Sequence, residues 1–461
     1  MKHSKSDVCC KTTCLPKLRF DDQKLTSFAG LVIFQQLIFD LQLKRRISRC
    51  FSHRGRSSIF TTTSIVLLLI VKIILGYRRL RDVQYIKNDP LVLRLLGLKQ
   101  MPSVSTISRQ LQSLDDRSIE KVQRLMRTLV VDRLERERLA RVTLDFDGSV
   151  LGTCRLAEGI AIGFNRKKKG QRSYYPLYCT VAQTAQVLAM MHRSGNVHDS
   201  KGAIPFIREC VETVRKALPQ ATIETQMDAA FFSEAIIELL DELGVEYTIS
   251  VPHQRYHSIN DHIKQRCRWR PLNDEAHYFE KPLSLKSWSI PRHRFIFVRQ
   301  CCKVQDKEPL QLDLFVPRDF NYQYKAIITN KLTSANNVIA NHEGRGSQEG
   351  LFAELKSQAT LSYIPCNTWN ANKLYMLCNV MAHNLCKELQ MRYQDRERNT
   401  TTKRPALWKF CQIGTLRKRI IQRAGRLLRP EGQWTLSMPC NDSVRDEIMQ
   451  YLPAHVLTDI A

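Results

Sequence analysis

The segment Val142-Thr-Leu-Asp-Phe-Asp147 decides the fold class, because apolar and polar residues alternate along it with the two-residue period of a half-buried strand. It ends in an aspartate and is followed by Gly148, which is typical of a turn. Later segments read as strands at 174–182 and 187–193, a helix at 203–218, a strand at 221–228, a helix at 233–243 and a strand at 246–252. Three strands followed by alternating helix and strand predict a mixed α/β sheet.

The chain is strongly basic. Its 461 residues include 71 Lys and Arg against 44 Asp and Glu, a formal net charge of +27. Such a charge costs self-repulsion in the folded state, which a polyanionic partner relieves. Nucleic acid is the favoured partner, since binding to phosphates releases counterions. A basic protein without such a partner is the alternative that composition leaves open.

Neither a disulfide scaffold nor a membrane protein is indicated. The 15 cysteines form no regular framework, so we expect a reducing cytoplasm. Zinc could be bound by Cys9, Cys10 and Cys14 together with Cys50 and His53, but their spacing matches no known zinc pattern. The apolar run 65–75 is about half the length of a membrane-spanning helix and contains Lys72, which favours a buried helix. We see no signal peptide.

The first 140 residues are predicted to be helical. Within them, Ser103 or Ser105 is placed to cap a short helix that carries Arg109 outward. Small polar residues with an arginine suit the second helix of a helix-turn-helix in a DNA groove. An ordinary capped helix in a bundle is the alternative.

Two later clusters are also basic. Arg166, Lys167, Lys168 and Lys169 precede a tyrosine pair, and this mixture of charge and aromatic rings is typical of surfaces that follow a nucleic-acid backbone. A solvated lysine loop is the alternative. The second cluster comprises the arginines and the lysine between 417 and 429.

Asp147 and Asp228 each close a predicted strand. Acidic residues at strand ends can converge at one edge of a sheet. With a third carboxylate from a nearby helix they would form an oxygen-rich site for two hard cations. Such a pair of cations can activate the attacking oxygen and stabilise the leaving oxygen of a phosphoryl displacement. Asp145 lies on the same face of its strand as Asp147 and stays an alternative first ligand.

The helical pattern near residue 350 supplies the third acid. At about 100° per residue, Arg345, Glu349 and Lys356 share one face, with His342 on the same side. An ordinary i,i+4 pair between Arg345 and Glu349 is the alternative. Glu354 lies about 140° from Glu349 on the helical wheel, so we expect it in solvent or in a local pair.

This charge pattern resembles a family signature. His342-x2-Arg345-x3-Glu349-x6-Lys356 is similar to the Tyr-x2-Arg-x3-Glu-x6-Lys signature of the DDE transposases of the group-four insertion sequences of bacteria, with histidine in place of tyrosine. Further segments resemble the thirteen-eighty branch of that group: Thr143–Gly148, Gly163–Arg166, Lys169–Leu177, Arg193–Asn196, Met227–Phe231, Tyr324–Asn330, Ala382–Leu385 and Arg419–Leu427.

The resemblance implies a chemistry and a set of ligands. By position, Asp147, Asp228 and Glu349 would be the catalytic metal ligands for Mg²⁺, with Mn²⁺ as a substitute. Arg345 and Lys356 would contact DNA phosphates, and His342 would stack on or donate to the DNA. The implied reaction is strand cleavage and strand transfer at the ends of an insertion sequence.

The resemblance also implies the architecture and the partners. It predicts a ribonuclease-H-like mixed α/β sheet with a β-rich insertion, an all-helical DNA-binding region before it and a helical basic tail after it. The helical DNA-binding region would span residues 1–140, and the core would span 141–252 and 323–395. The insertion would be 253–322, and the basic tail would be 396–461. The partners would be double-stranded DNA with terminal inverted repeats, target DNA and a second copy of the chain, in the bacterial cytoplasm at the nucleoid.

Two rival functions stay open at this point. A nuclease or resolvase with the same metal core would carry every one of these carboxylates. A decayed transposase would bind DNA without cutting it, although the presence of all three acids argues against that reading.

Overall fold

The protein begins with a helical region. The computed structural model describes residues 15–55, 59–163, 168–198, 201–285, 288, 292–301, 322–344, 346–398 and 406–453. The first elements are β1 (Leu25–Thr26), α1 (Val32–Asp40), α2 (Leu43–Cys50), α3 (Thr62–Ile74), α4 (Pro90–Leu96), α5 (Val104–Gln112) and α6 (Asp116–Glu137). Most of these elements are helices, and Leu25–Thr26 is a strand, paired with Gly425 and Arg426.

The α/β region follows without a break. Its elements are β2 (Arg141–Gly148), β3 (Leu151–Gly152), β4 (Ala161–Ile162), β5 (Arg172–Tyr174), β6 (Leu177–Val181), β7 (Gln186–Met191), α7 (Ala203–Ala217), β8 (Thr222–Met227), α8 (Glu234–Glu242) and β9 (Glu246–Val251). The expected strand 174–182 is divided, because Pro176 has no backbone N–H for a ladder. Its first part, β5, belongs to a small separate sheet with β3 and β4.

The remaining elements complete the sheet and add helices across it. They are α9 (His257–Lys264), β10 (Arg270–Pro271), β11 (Ala276–Leu283), β12 (His293–Cys301), β13 (Tyr322–Thr329), α10 (Ala335–Glu343), α11 (Gly346–Ser357), α12 (Trp369–Tyr393), α13 (Ile413–Leu416), β14 (Gly425–Leu428), β15 (Thr435–Ser437) and α14 (Asp442–Met449). Part of the expected β-rich insertion, residues 302–321, lies outside the described residues.

One mixed sheet organises the molecule. The order of its described strands is β10-β11-β12-β13-β9-β8-β2-β6-β7. Strands β2, β8 and β9 run parallel to one another, and the other neighbouring pairs, including β6 with β2 and β9 with β13, are antiparallel. The β-rich segment after residue 252 therefore extends the central sheet through β10–β12, since β12 pairs with β13 along their whole length.

Two large cores hold the sheet and the helices together. One lies between the sheet and helices α7 and α8. The other joins α1–α6 to α11 and α12, and so connects the start of the chain to its last third. The domain boundaries given above stay a prediction. The shared core shows that the helices that precede the sheet in the sequence pack together with those that follow it.

Helix α3 carries the apolar run that contains Lys72. Its side chains from Ile65 to Ile74 are buried, and Lys72 itself is fully enclosed. The Lys72 ammonium donates to the carbonyl oxygens of Tyr77 at 2.8 Å and Arg78 at 3.1 Å, so it caps the loop after the helix. Burial lowers the pKa of Lys72 to about 8. In the part of the chain that the structure describes, no helix has both the length and the apolarity to cross a membrane.

Helix α12 is buried along nearly its whole length and carries polar side chains into the core. The Asn384 amide binds both backbone groups of Val187, accepting at 2.9 Å and donating at 2.8 Å. This pairing satisfies the backbone groups of Val187 on β7, which is a terminal strand of the sheet. Arg133 of α6 forms a buried bidentate pair with Glu388 at 2.8 and 2.6 Å.

Glu354 is buried, contrary to the expectation of a solvent position. It is 6% exposed and accepts hydrogen bonds from Lys387 at 3.0 Å and from the backbone N–H of Ile413 at 2.6 Å. Burial alone would raise the pKa of Glu354, but the charge of Lys387 and these hydrogen bonds outweigh it and lower the pKa. The expectation was wrong because α12 covers the side of α11 that points away from Glu349.

We expect Glu354→Gln to lower the free energy of unfolding by about 3 kcal/mol, because Lys387 would stay buried without its counter-charge. Chemical denaturation at neutral pH measures this loss. Glu343→Gln, at an exposed position of α10, is the matched control and should stay within about 0.5 kcal/mol of wild type. Equal losses in the two variants would contradict the ion-pair role.

His192 is a buried titratable group between two aromatic rings. Its ring centroid lies 4.4 Å from that of Tyr174 and 4.0 Å from that of Trp369. Neither ring nitrogen has a hydrogen-bond partner among the described residues. Burial, with repulsion from Lys373, lowers the pKa of His192 to about 3.

Because an unfolded histidine titrates near pH 6.5, the unfolded chain binds more protons than the folded one below that pH, and His192 makes stability fall as pH falls from 6.5 towards 3. Between pH 7 and pH 5, the free energy of unfolding of His192→Phe should therefore fall by about 2 kcal/mol less than that of wild type. The expected difference is about 1.4 kcal/mol for each pH unit below 6.5. Urea denaturation at both pH values tests this. His257→Phe, at an exposed position, should follow wild type, and parallel curves for all three proteins would refute the assignment.

Candidate active site

The two predicted aspartates lie side by side at the ends of neighbouring parallel strands. Strands β2 and β8 pair as far as Phe146 opposite Met227, so Asp147 and Asp228 are the next residues of the two strands. Neighbouring strands are about 4.8 Å apart, and residues in the same row point to the same face. Asp228 also accepts a hydrogen bond from the backbone N–H of Ala230 at 3.0 Å, which fixes its carboxylate at the start of a short turn.

Two rows of polar residues cross this face of the sheet. The inner row is Thr180, Asp145, Gln226 and Thr248, as the strand registers give it. The outer row, one step nearer the carboxyl ends of the parallel strands, begins with Tyr178 opposite Asp147. Asp228 and Ser250 continue it, because they follow the last parallel pairs, Phe146 with Met227 and Met227 with Ile249. The carboxylates of Asp147 and Asp228 therefore belong to a face that is polar across four strands.

Helix α11 is anchored on that face through Gln348. The Gln348 side-chain amide donates to the backbone carbonyl of Asp145 at 3.0 Å and to the hydroxyl of Thr180 at 2.9 Å. One turn later, the ring centroid of Phe352 lies 5.2 Å from that of Tyr178. Tyr178 is the cross-strand partner of Asp147, so α11 passes along the face that carries the aspartates.

The end of helix α10 is anchored beside it. The Gln226 amide donates to the backbone carbonyl of Asn341 at 3.0 Å. The His342 ring is bonded through Nε2 to the hydroxyl of Ser250 at 2.8 Å and through Nδ1 to that of Thr248 at 3.0 Å. These bonds hold the junction between α10 and α11 over the inner row.

Glu349 follows Gln348 in the first turn of α11, and its side chain is exposed. Its helix is thus fixed on the face of Asp147 and Asp228, while its carboxylate points to solvent. Among the described residues, no three His, Cys, Asp or Glu side chains lie close enough together to hold a metal ion. The structure pairs the two aspartates and leaves the third acid on the neighbouring helix.

Asp145, the alternative first ligand, has a different environment. It is 1% exposed, in the inner row beneath Gln348, whereas Asp147 is half-buried at the end of its strand. Of these two aspartates, Asp147 is thus the one in contact with solvent at the carboxyl edge of the sheet.

The predicted basic contacts fall into two groups. Arg345, Arg166 and Lys167 lie outside the described residues. Lys168 and Lys169 are exposed in the turn before β5, and Lys356 is half-buried two turns after Glu349 on α11. Arg109 is exposed on α5, whose N-terminus is capped by Ser103 as expected.

The basic cluster at 417–429 is largely structural. The Arg417 guanidinium donates to the carbonyl oxygens of Ile74 at 2.9 Å and Gln358 at 3.0 Å, and burial lowers its pKa. Arg419 is paired with Glu447, and Arg426 donates to Asp22 at 2.6 Å. Arginines at these positions satisfy carbonyls and carboxylates of their own chain, which charge spacing alone does not reveal.

Sequence reasoning missed Gln348 and two cationic residues beyond the outer row, Arg255 and Lys325. A signal for Gln348 was present, since it precedes the predicted glutamate by one residue. Lys325 stands in β13, and the face that it occupies depends on the pairing of that strand with β9.

Comparison with known proteins identifies the class of the chain. The family described as transposase DDE domain group 1 matches residues 13–456, so the chain belongs to this family of transposase domains. A comparison with curated proteins gave no match.

Among solved structures, the piggyBac transposase synaptic complex with hairpin DNA is similar at 13% identity and a TM-score of 0.41, covering 92% of this chain and 84% of that one. The Mos1 transposase paired-end complex with left transposon end is similar at 10% identity and a TM-score of 0.18, covering 44% and 62%. The catalytic domain of Mos1 mariner transposase gives 11% identity and a TM-score of 0.17, covering 33% and 75%.

We expect Gln348→Leu to lower the free energy of unfolding by about 2 kcal/mol, because it leaves the Thr180 hydroxyl and the Asp145 carbonyl buried without their donor. It should also speed hydrogen exchange in the first turn of α11, which loses its anchor. Denaturation and exchange measured together test both effects. Gln265→Leu, at an exposed position, should change neither, and unchanged exchange in α11 of the Gln348 variant would refute the anchoring role.

Proposed function

We propose that the protein is a DNA transposase that cuts and joins DNA strands at a divalent-metal site formed by Asp147, Asp228 and Glu349. The observation that carries the proposal is the adjacent pair of aspartates at the ends of β2 and β8, with the helix of Glu349 anchored across the same face. Membership of the transposase DDE domain family gives the reaction class.

The topology supports the same reading. Five strands in the order β7-β6-β2-β8-β9 have antiparallel pairs on one side of β2 and parallel pairs on the other. This is the arrangement expected of a ribonuclease-H-like core, with β10–β13 as the sheet extension.

The donor set fits a hard divalent cation. All three side chains are carboxylates, the oxygen ligands that Mg²⁺ prefers and that Mn²⁺ also accepts. When bound, such ions polarise the scissile phosphate and activate the attacking oxygen. Asp147 and Asp228 would hold them at the sheet edge, and Glu349 would approach from the first turn of α11.

The surrounding residues of this chain would position the DNA. Lys168 and Lys169, on the turn that precedes β5, and Lys356 would contact phosphates, as would the undescribed Arg345, Arg166 and Lys167. Arg109 on the capped helix α5 would reach a second DNA segment. His342, whose two ring nitrogens bind Ser250 and Thr248, would align α11, and its stacking on DNA stays a prediction.

The proposed partners are duplex DNA with terminal inverted repeats, target DNA and a second copy of the chain, acting in the cytoplasm at the nucleoid. A resolvase or nuclease would cleave but would not join ends, so a strand-transfer assay with paired ends separates these functions. A decayed transposase would bind ends without cleaving them.

We expect Asp147→Asn, Asp228→Asn and Glu349→Gln each to reduce cleavage of an end-bearing duplex in Mg²⁺ by about three orders of magnitude or more, the scale at which catalytic groups act. End binding should stay within a few-fold of wild type, because each change keeps the shape and removes only the ionic ligand.

Glu343→Gln is the control with unchanged cleavage, and thermal melting checks the fold. A cleavage-dead Asp145→Asn together with an active Asp147→Asn would show that the first acid is wrongly assigned. Binding without cleavage by the wild-type protein would favour the decayed transposase.

A further inference from the structure

A cleft opens beside the outer row, where β9 ends and β13 begins. It has a volume of about 360 Å³ and is lined by residues 250–255, residues 324–327 and His342. Its walls are the short turn after β9, the first half of β13 and the end of α10. The volume lies within the range of sites that hold a small ligand.

The cleft lies on the face that carries the aspartates. Ser250, one of its walls, belongs to the outer row next to Asp228. Lys325 follows one row further out, because the pairing of Ala326 with Val251 sets it opposite Pro252. By strand and residue spacing, its Cα is on the order of 12 Å from that of Asp228.

The side chains of the cleft are cationic or neutral. Arg255 and Lys325 are exposed, His253 is half-buried, and no acidic residue lines the cleft among the described residues. No ion-pair partner is found for Arg255 or Lys325 in the described ranges, whereas Arg294 on the neighbouring strand binds Glu280. Burial lowers the pKa of His253, which makes it a neutral hydrogen-bonding group.

We propose that this cleft binds a backbone phosphodiester of the DNA strand that leaves the Asp147–Asp228 site, with Arg255 and Lys325 as the charged contacts. Two cations that have no ion-pair partner among the described residues, beside a neutral imidazole, suit one phosphate group, which carries a single negative charge and several acceptor oxygens. The inference rests on the proposed function, because the strand comes from that site. It adds a phosphate position on the β13 side of the aspartates, where no contact was predicted.

The test uses the full chain and a 20-base-pair duplex of arbitrary sequence, without a divalent metal. Lys325→Gln combined with Arg255→Gln should weaken binding at least tenfold. The slope of log affinity against log salt should become shallower by roughly 0.9, the change expected for the loss of one phosphate contact on duplex DNA.

The matched control is Lys264→Gln combined with Arg268→Gln, which removes the same charge from exposed positions near α9. It should change the affinity less than threefold and leave the slope unchanged. Thermal melting should be the same for both double variants, because all four side chains are exposed. An equal loss in the two double variants would overturn the proposal, since it would show diffuse charge rather than a site.

A second measurement separates this inference from the proposed function. In Mg²⁺, cleavage of an end-bearing duplex by the cleft variant should show a raised KM with kcat within a few-fold of wild type. If the wild-type protein does not cleave but the cleft variant still binds the arbitrary duplex more weakly, the cleft stands and the proposed function fails. If wild type cleaves and the cleft variant matches it in binding and KM, the cleft inference alone fails.

Discussion

The hydrogen bonds between the α10–α11 junction and the inner row of the sheet are the constraint on which the site depends. Thr180, Asp145, Gln226 and Thr248 bring polar groups into a buried face, and a buried polar group without a partner costs about 1–3 kcal/mol. Gln348, Asn341 and His342 supply partners. A shift of the junction by one residue would break these bonds together, so the position of α11 is fixed and Glu349 has one place relative to the outer row.

Much of the positive charge of this basic chain serves the fold. Arg133 binds Glu388 inside the helical layer, Lys331 and Arg141 bind Glu224 at the amino ends of the parallel strands, and Lys387 binds Glu354. Breaking such buried pairs is costly, because one charge is left uncompensated. The net charge therefore indicates a polyanionic partner for the chain as a whole, but it does not indicate which cations would contact that partner. The residues that we propose as DNA contacts are exposed cations near the carboxyl edge of the sheet.

The strands and helices of the α/β region could be predicted because their apolar period follows from burial on a sheet or a helix, and 142–147 and 221–228 were found in this way. The side-by-side position of Asp147 and Asp228 could also be expected from parallel strands. The burial of Glu354 and Arg417 could not be predicted, since it depends on α12 and α3, which are distant in sequence. The extension of the sheet by β11 and β12 depends on a pairing with β13 that no local pattern encodes.

Asp145 and Asp147 show why face alone does not identify a ligand. Both side chains point to the same side of β2, so the alternation along the strand gives no reason to prefer either one as a ligand. Gln348 lies over the inner row, where its amide donates to the backbone carbonyl of Asp145, and the Asp145 side chain is only 1% exposed. The outer row is open at the carboxyl edge, and Asp147 has Asp228 beside it there. Asp145 is thus enclosed and Asp147 is accessible beside Asp228, and this difference in burial is the structural reason for proposing Asp147 as the first ligand.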